Sequence, residues 1–398
     1  MNEDQPANTF PAAPEKTPFL QDPAKRSILY QVVVMAGIGL LGWYIMRNVT
    51  ANLERQAIAT GFGFLRKEAA FEVGESLIRY TAADSYARAL LAGAVNTLYV
   101  SFLGVVLTTL LGTAIGVARL SSNWLVSRLA AAYIEVMQNI PVLLQLFFWY
   151  AMFYDSFPSP RQALNPVGGL FICNRGLFFT VPQGHPAYTA AGLALLAAAV
   201  IVWGLRRWAR KRQDLTGRAF PVIKTSLALL IGLPALAWLI GGAPTALDAP
   251  RLQGFNFEGG RSFSPEFSAL LLGLVLYTAA FVAEIVRAGI QSVSKGQTEA
   301  AKSLGLPSGH VLLLVVLPQA LRVIIPPLTS QMLNLTKNSS LAVAIGFPDF
   351  VSVANTTMNQ TGQAIEGVAL IMAVYLTFSL ATSAIMNWYN KKIALVER

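Results

Sequence analysis

Residues 89–118 read ALLAGAVNTLYVSFLGVVLTTLLGTAIGVA and contain no charged side chain. A helix rises about 1.5 Å per residue, so a run of this length exceeds the roughly 30 Å hydrocarbon core of a bilayer. The run therefore predicts a membrane-spanning helix. Gly112 and Gly116 within it form a GxxxG pattern, which lets two helices approach closely, and we expect these glycines to pack inside the helix bundle.

Similar apolar runs recur on both sides of this stretch. They cover residues 28–46, 136–154, 187–205, 225–247, 267–283, 319–344 and 367–390. Overall, 54% of the residues are hydrophobic and only 13% are charged, which is too little charge to cover a soluble protein of 398 residues. The sequence predicts an all-α integral membrane protein with about eight transmembrane helices and both termini on one side.

Basic residues predict which side that is. The 30 lysines and arginines outnumber the 20 acidic residues, and their densest cluster lies at residues 206–212. Short basic loops of membrane proteins lie in the cytoplasm, so we interpret the cluster as a topology marker; nucleic-acid binding is a poor alternative. Residues 1–27, rich in proline, are then a flexible cytoplasmic tail, and residues 391–398 form a short second tail.

Neither catalysis nor metal binding is indicated. Cys173 is the one cysteine of the chain, and His185 and His310 lack the partners that acid–base catalysis needs. The chain also has no GxxxxGK[ST] loop with which to bind a nucleotide phosphate. We therefore expect no catalytic residue, no metal site and no cofactor bound by this chain.

Residues 294–318, SKGQTEAAKSLGLPSGHVLLLVVLP, differ from an ordinary loop between two spans. Residues 297–304 favour a helix that ends at Gly305, and Pro307 with Ser308 can start a second one. Because Pro318 interrupts the run, we expect the next membrane helix to begin only near Gln319. Two short helices at an angle would form a knob that fits a partner groove or the membrane surface.

The knob carries a recognisable pattern. It consists of Glu299-Ala300-Ala301, Gly305, Val315 and Leu317-Pro318. This spacing resembles the coupling loop in the membrane subunits of ATP-binding-cassette importers. Residues 88–154 and 266–390, on either side, look more narrowly like the polar amino-acid permeases of that superfamily.

The resemblance implies a domain layout. Residues 88–154 and 266–390 would be the two parts of a five-helix type I importer core that includes the coupling loop at 294–318. Residues 155–265 would be an insertion with two extra transmembrane helices, and residues 28–87 an extra helix with a periplasmic loop. This layout resembles the enlarged permease of general L-amino-acid importers, which implies transport of L-amino acids with broad specificity.

The resemblance also implies partners and a location. ATP and magnesium would be bound by two copies of a partner ATPase, and a periplasmic amino-acid-binding protein would deliver the substrate. A second permease subunit would complete the pathway, as a heterodimer or, alternatively, a homodimer. The chain would lie in the lipid of a bacterial inner membrane, with no nucleic-acid partner.

Candidate site residues fall into three groups. The resemblance implies ATPase coupling for Glu299, Ala300, Ala301, Gly305, Leu306, Pro307 and His310. Polar residues inside spans face protein or water, which makes pathway candidates of Asn96, Asn139, Gln145, Asn334, Lys337, Asn338, Ser339 and Ser340. Such residues also serve as glue between helices, so that alternative stays open.

The third group is structural or interfacial. It contains Glu135, Glu284 and Arg287, together with Gly112 and Gly116. Glu284 and Arg287 are three residues apart on one helix and could pair with each other.

Three other functions compete with this interpretation. A secondary amino-acid transporter would need no docking knob and usually shows inverted repeats, and the sequence contains no convincing repeat. A permease for another small polar solute would share every feature above. A membrane-embedded enzyme would need acid, base or nucleophile groups that converge at one depth.

Overall fold

The computed structural model describes residues 23–55 and 60–393. The predicted tail residues 1–22 and 394–398 lie outside these ranges, as do residues 56–59. Helix α1 already begins at Pro23, so the tail predicted over residues 1–27 overlaps the first turn of this helix. Proline suits that position because its missing N–H has no partner in a first turn.

In chain order the helices are α1 (Pro23–Arg55), α2 (Tyr86–Arg119), α3 (Trp124–Asn139), α4 (Val142–Ala151), α5 (Pro186–Thr216), α6 (Val222–Ile240), α7 (Pro265–Gln291), α8 (Lys295–Ser303), α9 (Ser308–Val311), α10 (Leu317–Asn338), α11 (Phe350–Thr361) and α12 (Ala364–Ile393). Among the described residues, seven helical segments are long and apolar enough to cross a membrane. The bent pair of α3 and α4 makes eight if it counts as one span. On that counting, the predicted number of spans is confirmed.

Helices α2 and α7 cross at the centre of the bundle. A Cβ atom on Gly112 would lie 2.6 Å from the Cβ of Val282, and one on Gly116 would lie 2.6 Å from the carbonyl oxygen of Ala283. Both distances are too short for a real side chain. The GxxxG pattern thus brings the two backbones together inside the bundle.

The span predicted over residues 136–154 is sharply bent, at the point where Pro141 indicates a kink. Helices α3 and α4 meet at a bend of 102°. Pro141 begins the second helix and cannot continue the hydrogen bonding of the first, which frees the last carbonyl groups of α3. The buried side chain of Gln145 replaces those bonds, donating from Nε2 to the carbonyl oxygens of Met137 and Ile140 at 2.9 Å each.

Helix α10 also departs from its prediction. It begins at Leu317, close to the expected start near Gln319, but no break precedes it, because the apolar segment Ser308–Ile345 is helical throughout. A π-helical turn, Leu312–Val316, joins α9 to α10 directly ahead of Pro318. Proline disrupts an α-helical turn, and a wider turn in front of it lets the helix continue.

The insertion contains strands that the all-α prediction did not include. They are β1 (Leu164–Val167), β2 (Leu170–Cys173), β3 (Gly176–Phe179), β4 (Val181–Pro182), β5 (Leu247–Asp248), β6 (Arg251–Gln253), β7 (Asn256–Glu258) and β8 (Arg261–Phe263). The first three form a sheet with β8 in the order β1-β2-β3-β8, while β4 pairs with β5 and β6 with β7. We call these strands the β cap.

The β cap lies at the start of α5, at the end of α6 and at the start of α7. Strand β4 leads into α5, α6 leads back into β5, and β8 leads into α7. The ring of Phe263 in β8 packs against that of Phe267 in α7, with ring centres 4.6 Å apart and the planes tilted by 37°, and this contact fixes the cap to the core. We call the side of the membrane on which the β cap lies the cap side. Helices α8 and α9, which form the predicted knob, lie on the opposite side, which we call the knob side.

Residues 60–85 cover the cap side of the core. Gln363 donates from Nε2 to the carbonyl oxygen of Gly61 at 2.9 Å, and the backbone N–H of Gly61 donates to Glu366 at 2.6 Å. The hydroxyl of Tyr86 donates to Gln360 at 2.9 Å. These bonds join the loop before α2 to α11 and α12.

Candidate functional site

The knob has the predicted form of two short helices joined at a glycine. Helix α8 ends at Ser303, and Gly305 takes a φ of +78°, a left-handed conformation that favours glycine. Its N–H donates to the carbonyl oxygen of Lys302 at 2.8 Å, and that of Leu306 donates back to Ala301 at 3.3 Å. Pro307 then begins α9 in an extended conformation.

Burial divides the residues for which the resemblance implies ATPase coupling. Ala301 is buried, and so is Val311 in the second helix. Glu299, Ala300, Gly305, Pro307 and His310 are exposed, and Leu306 is half-buried. Of the two alanines expected to permit close approach of an ATPase, Ala300 is thus accessible, whereas Ala301 packs inside the knob.

Leu304 is a knob residue that the sequence analysis missed. It is 83% exposed, at the point where α8 ends and the chain turns. Leu304 therefore presents an apolar side chain on the outer surface of the knob. Its position directly before the glycine turn is the signal that would have identified it.

One face of α10 is polar and open. Ser330, Asn334 and Lys337 are exposed, and their spacing of four and then three residues places them on a single stripe of the helix. Pro326 and Pro327 lie one turn earlier on the same exposed face. Their missing N–H groups leave the carbonyl groups of Arg322 and Val323 without the usual helical donors. We call this surface the open face of α10.

The two serines near the end of α10 donate their hydroxyl groups to backbone carbonyl oxygens of the same helical segment. The hydroxyl of the buried Ser339 donates to the carbonyl oxygen of Thr336 at 2.7 Å, and that of Ser340 donates to the carbonyl oxygen of Lys337 at 2.7 Å. Asn338 is half-buried. Asn334 and Lys337 are therefore the members of this polar run that the fold leaves exposed, and Ser330 is one that the sequence analysis missed.

Three other pathway candidates donate hydrogen bonds to backbone carbonyl groups. Asn96 is buried, and its amide donates to the carbonyl oxygens of Glu75 at 2.7 Å and Pro348 at 2.9 Å. Gln145 bonds the α3 carbonyls at the 102° bend, as described above. Asn139 is exposed and donates to the carbonyl oxygen of Glu135 at 2.7 Å. For all three, a role in the pathway stays a prediction.

The acidic and basic candidates are also placed. Glu135 is exposed on α3. Arg287 forms an ion pair with Glu284, with its Nε 3.0 and 3.1 Å from the two carboxylate oxygens. Nη1 of Arg287 donates to the side-chain oxygen of Gln291 at 2.8 Å. This contact is the pair that their three-residue spacing predicted.

A buried carboxyl group on the cap side escaped the sequence analysis. Asp349 is fully buried between α10 and α11, where it caps α11 by accepting from the N–H of Ser352 at 2.8 Å. The hydroxyl of Tyr375 in α12 donates to it at 3.2 Å. Burial raises the pKa of Asp349 to about 6, against the smaller effect of these hydrogen bonds. An aspartate directly before a helix is a capping signal that could have identified it.

Comparison with known proteins agrees with this architecture. Residues 104–395 match the family described as binding-protein-dependent transport system inner membrane component. The general L-amino acid transport system permease protein AapQ of Rhizobium johnstonii is 49% identical over 379 residues, which cover 95% of each chain.

A second relative is the glutamate/glutamine/aspartate/asparagine transport system permease protein BztB of Rhodobacter capsulatus. It is 41% identical over 413 residues, covering 96% of each chain. Among solved structures, an amino acid ABC transporter crystallised with histidines aligns with a TM-score of 0.46 at 22% identity, covering 77% of this chain and 95% of that chain.

Proposed function

This chain belongs to the family of binding-protein-dependent transport system inner membrane components, and on that premise we propose that it carries L-amino acids through the membrane. Two relatives that it matches over nearly their whole length are named for amino-acid transport. We further propose that the cap side is periplasmic, so that both termini lie in the cytoplasm. The basic residues 206–212 lie on the knob side, in agreement with that orientation.

The observation that carries the proposal is the exposed, bent knob. The chain has no phosphate-binding loop, so a separate ATPase with bound magnesium would supply the energy. Leu304 and the exposed side of α8 would seat in a groove of that ATPase. Gly305 would keep the two helices at a fixed angle, so that movement of the ATPase passes into α10 through the continuous segment Ser308–Ile345.

A pair of glycine variants tests the coupling role. Valine at Gly305 must adopt a φ of +78°, which strains the turn, whereas Gly309 lies in α9 with open space around its Cα. We expect G305V to lower ATP-driven uptake in reconstituted vesicles at least tenfold and G309A to leave it within twofold. Membrane insertion should be unchanged in both. Normal uptake by G305V would refute the coupling assignment.

A pair of leucine variants separates docking from general surface effects. Leu304 is 83% exposed on the knob, and Leu215 is 86% exposed at the end of α5 on the same side of the membrane. We expect L304S to weaken co-purification of the ATPase and L215S to have no effect. Equal behaviour of the two variants would count against Leu304 as a docking residue.

The open face of α10 is the part of the chain that we propose for the substrate pathway. Polar side chains and free carbonyl groups are tolerated at membrane depth only beside water or another protein. A second permease subunit facing Ser330, Asn334 and Lys337 would enclose a polar channel between the two chains. The carbonyl groups freed by Pro326 and Pro327 would offer acceptors to an ammonium group.

Cysteine labelling tests this surface with little background, because Cys173, the single cysteine, is buried. In the assembled importer, S330C, N334C and K337C should react with a water-soluble thiol reagent, and L335C, on the buried face, should not. The labelling rates should change when ATP is added. Uniform protection of all four positions would exclude a water-filled pathway along α10.

A secondary transporter is the competing function, and uptake measured without the ATPase separates the two. Uptake that persists without the ATPase would indicate a secondary transporter.

A further inference from the structure

The knob-side end of the α5–α6 hairpin concentrates positive charge. The seven cations are Arg206, Arg207, Arg210, Lys211, Arg212, Arg218 and Lys224, against a single acid, Asp214. Arg212 is half-buried and the other six are exposed. Among the described residues, none of them makes an ion pair. We call residues 203–224 the basic hairpin end.

The length of α5 fixes the depth of these charges. Its apolar part, residues 187–205, spans about 28 Å, which matches the roughly 30 Å hydrocarbon core. The helix continues to Thr216. Arg206, Arg207 and Arg210 follow within about 6 Å of helix axis, which places them in the layer of lipid phosphates. Lys224 stands at the same boundary, just before the apolar run of α6.

Aromatic rings support the cations at this boundary. The guanidinium of Arg207 lies 4.1 Å from the ring centre of Trp203, and that of Arg212 lies 5.3 Å from the ring centre of Trp208. Tryptophan favours the interface between lipid and water, and a ring beneath a guanidinium orients it. These contacts keep Arg207 and Arg212 at the membrane surface.

The turn of the hairpin brings further charge to the same place. Gly217 ends α5 in a left-handed conformation with φ of +68°, which reverses the chain toward α6. Phe220 then packs edge-to-face on Trp208 with ring centres 5.4 Å apart. This contact holds the turn that carries Arg218 against the end of α5.

We propose that the basic hairpin end binds the headgroup of an anionic phospholipid in the leaflet on the knob side. The phosphate accepts hydrogen bonds from Arg206, Arg207 and Arg210, and the acyl chains lie along the apolar surface of α5. Clusters of four to eight cations next to a membrane helix attract anionic lipids in this way. A topology marker needs only charge, whereas here Arg206, Arg207 and Arg210 lie at phosphate depth and the ring of Trp203 orients Arg207.

Lipid is favoured over an acidic protein by the same geometry. A protein partner that docks from the cytoplasm would first contact the outer cations, Lys211 and Arg218. The arginines at the depth of the lipid phosphates lie closer to the membrane. In addition, α5 packs on α6, away from the knob that we propose as the ATPase contact. Asp214 is the acid nearest to these arginines along α5. It is exposed and lies one helical turn beyond Arg210, farther from the membrane.

Native mass spectrometry of the full-length chain tests the proposal. The protein is titrated with phosphatidylglycerol, with the two-phosphate diphosphatidylglycerol, and with zwitterionic phosphatidylcholine. We expect the anionic lipids to bind at least tenfold more tightly than phosphatidylcholine. The triple variant R206Q/R207Q/R210Q should lose at least tenfold in affinity for them, since each cation near a membrane surface contributes about fivefold.

A matched variant controls for loss of net charge. R175Q/R251Q/R261Q removes three exposed cations from the β cap and should bind anionic lipid as the wild type does. Equal losses of lipid affinity in both triple variants would overturn the proposal. So would unchanged lipid binding by a folded R206Q/R207Q/R210Q variant, one that melts at the temperature of the wild type. Displacement of the lipid by millimolar glycerol phosphate would show a site for free phosphate instead. In the complex with the ATPase, loss of that subunit from R206Q/R207Q/R210Q without loss of lipid would identify a protein contact and overturn the proposal.

Discussion

The core crossing of α2 and α7 and the α5–α6 hairpin are both pairs of apolar helices, yet they are built differently. In the core, Gly112 and Gly116 touch the facing backbone so closely that no side chain fits. In the hairpin, Gly204 and Gly232 have open space around them. Close backbone contact specifies one geometry in the core, whereas α5 and α6 pack chiefly on each other and leave most of their length exposed to the bilayer.

The two regions also differ in how they treat polar groups. The core and its cap-side rim bury Asn96 and Asp349 and satisfy both with hydrogen bonds from several elements. The hairpin instead places its charges at one end, outside the hydrocarbon. A buried polar group must be paired, so it ties its neighbours together; an exposed charge leaves its helix free to move.

The largest expected effect comes from filling the core crossing. G112V places a side chain where even a Cβ atom would lie 2.6 Å from Val282, so the helices must separate. We expect a loss of about 3 kcal/mol or more, seen as a collapsed yield of folded protein and a lower melting temperature. G204V in the hairpin is the matched control and should melt like the wild type. Similar losses in both variants would erase the distinction between the two regions.

A medium effect is expected from the buried carboxyl group of Asp349. Its pKa of about 6 in the folded chain exceeds the usual value near 4, so the folded state binds this proton more tightly. The stabilisation that this provides is complete below about pH 4 and is lost as the pH rises through 6. D349N keeps an oxygen that can cap α11 but cannot ionise.

The measurement is the melting temperature of both proteins between pH 4 and 7.5. Relative to wild type, D349N should gain stability as the pH rises, by roughly 1 to 3 kcal/mol near pH 7. D349A, which also removes the cap of α11, should be destabilised at every pH. An unchanged pH dependence in D349N would show that Asp349 does not titrate in this range.

The smallest effect on the core is expected from removing the hairpin. Strands β4 and β5 pair Val181 with Asp248 and Pro182 with Leu247, and the N–H of Gln183 donates to Ala246 at 2.9 Å. The two chain ends at the cap are therefore adjacent. Replacing residues 184–245 with Asn-Gly would join them by a two-residue turn.

We expect the shortened chain to melt within about 2 °C of the wild type and to lose its tight anionic lipid. Thermal unfolding in detergent and lipid titration measure the two properties on the same sample. A large drop in melting temperature would mean that the hairpin supports the core, and retained lipid would place the lipid site elsewhere.

The sequence predicted the spans well because each is a long apolar run, and length alone decides whether a helix can cross a bilayer. The proline signals were harder to interpret. Pro141 indicated a kink but not its angle, and Pro318 suggested a break where the chain instead forms a π turn and continues. The strands of the β cap have two to four residues each, too few for an alternating pattern to predict them.

The candidate site was predicted in part for the same reason. The spacing from Glu299 to Pro318 and the need for glycine at Gly305 depend on local chain geometry, which sequence encodes. That Ala301 is buried and Leu304 exposed depends on how α8 packs against α9. Likewise, Asn334 and Ser339 are similar polar residues of one run, and packing alone separates them into an exposed and a buried one.

The amino-acid sequence by itself determined that this chain spans a membrane, where its spans lie and which loop forms the knob, because hydrophobic length and glycine conformation are local properties. The tertiary structure decided the 102° bend, the open face of α10, the buried carboxyl of Asp349 and the closure of the β cap. Each of these depends on which distant groups meet, and burial and hydrogen bonding between them are settled only when the helices pack.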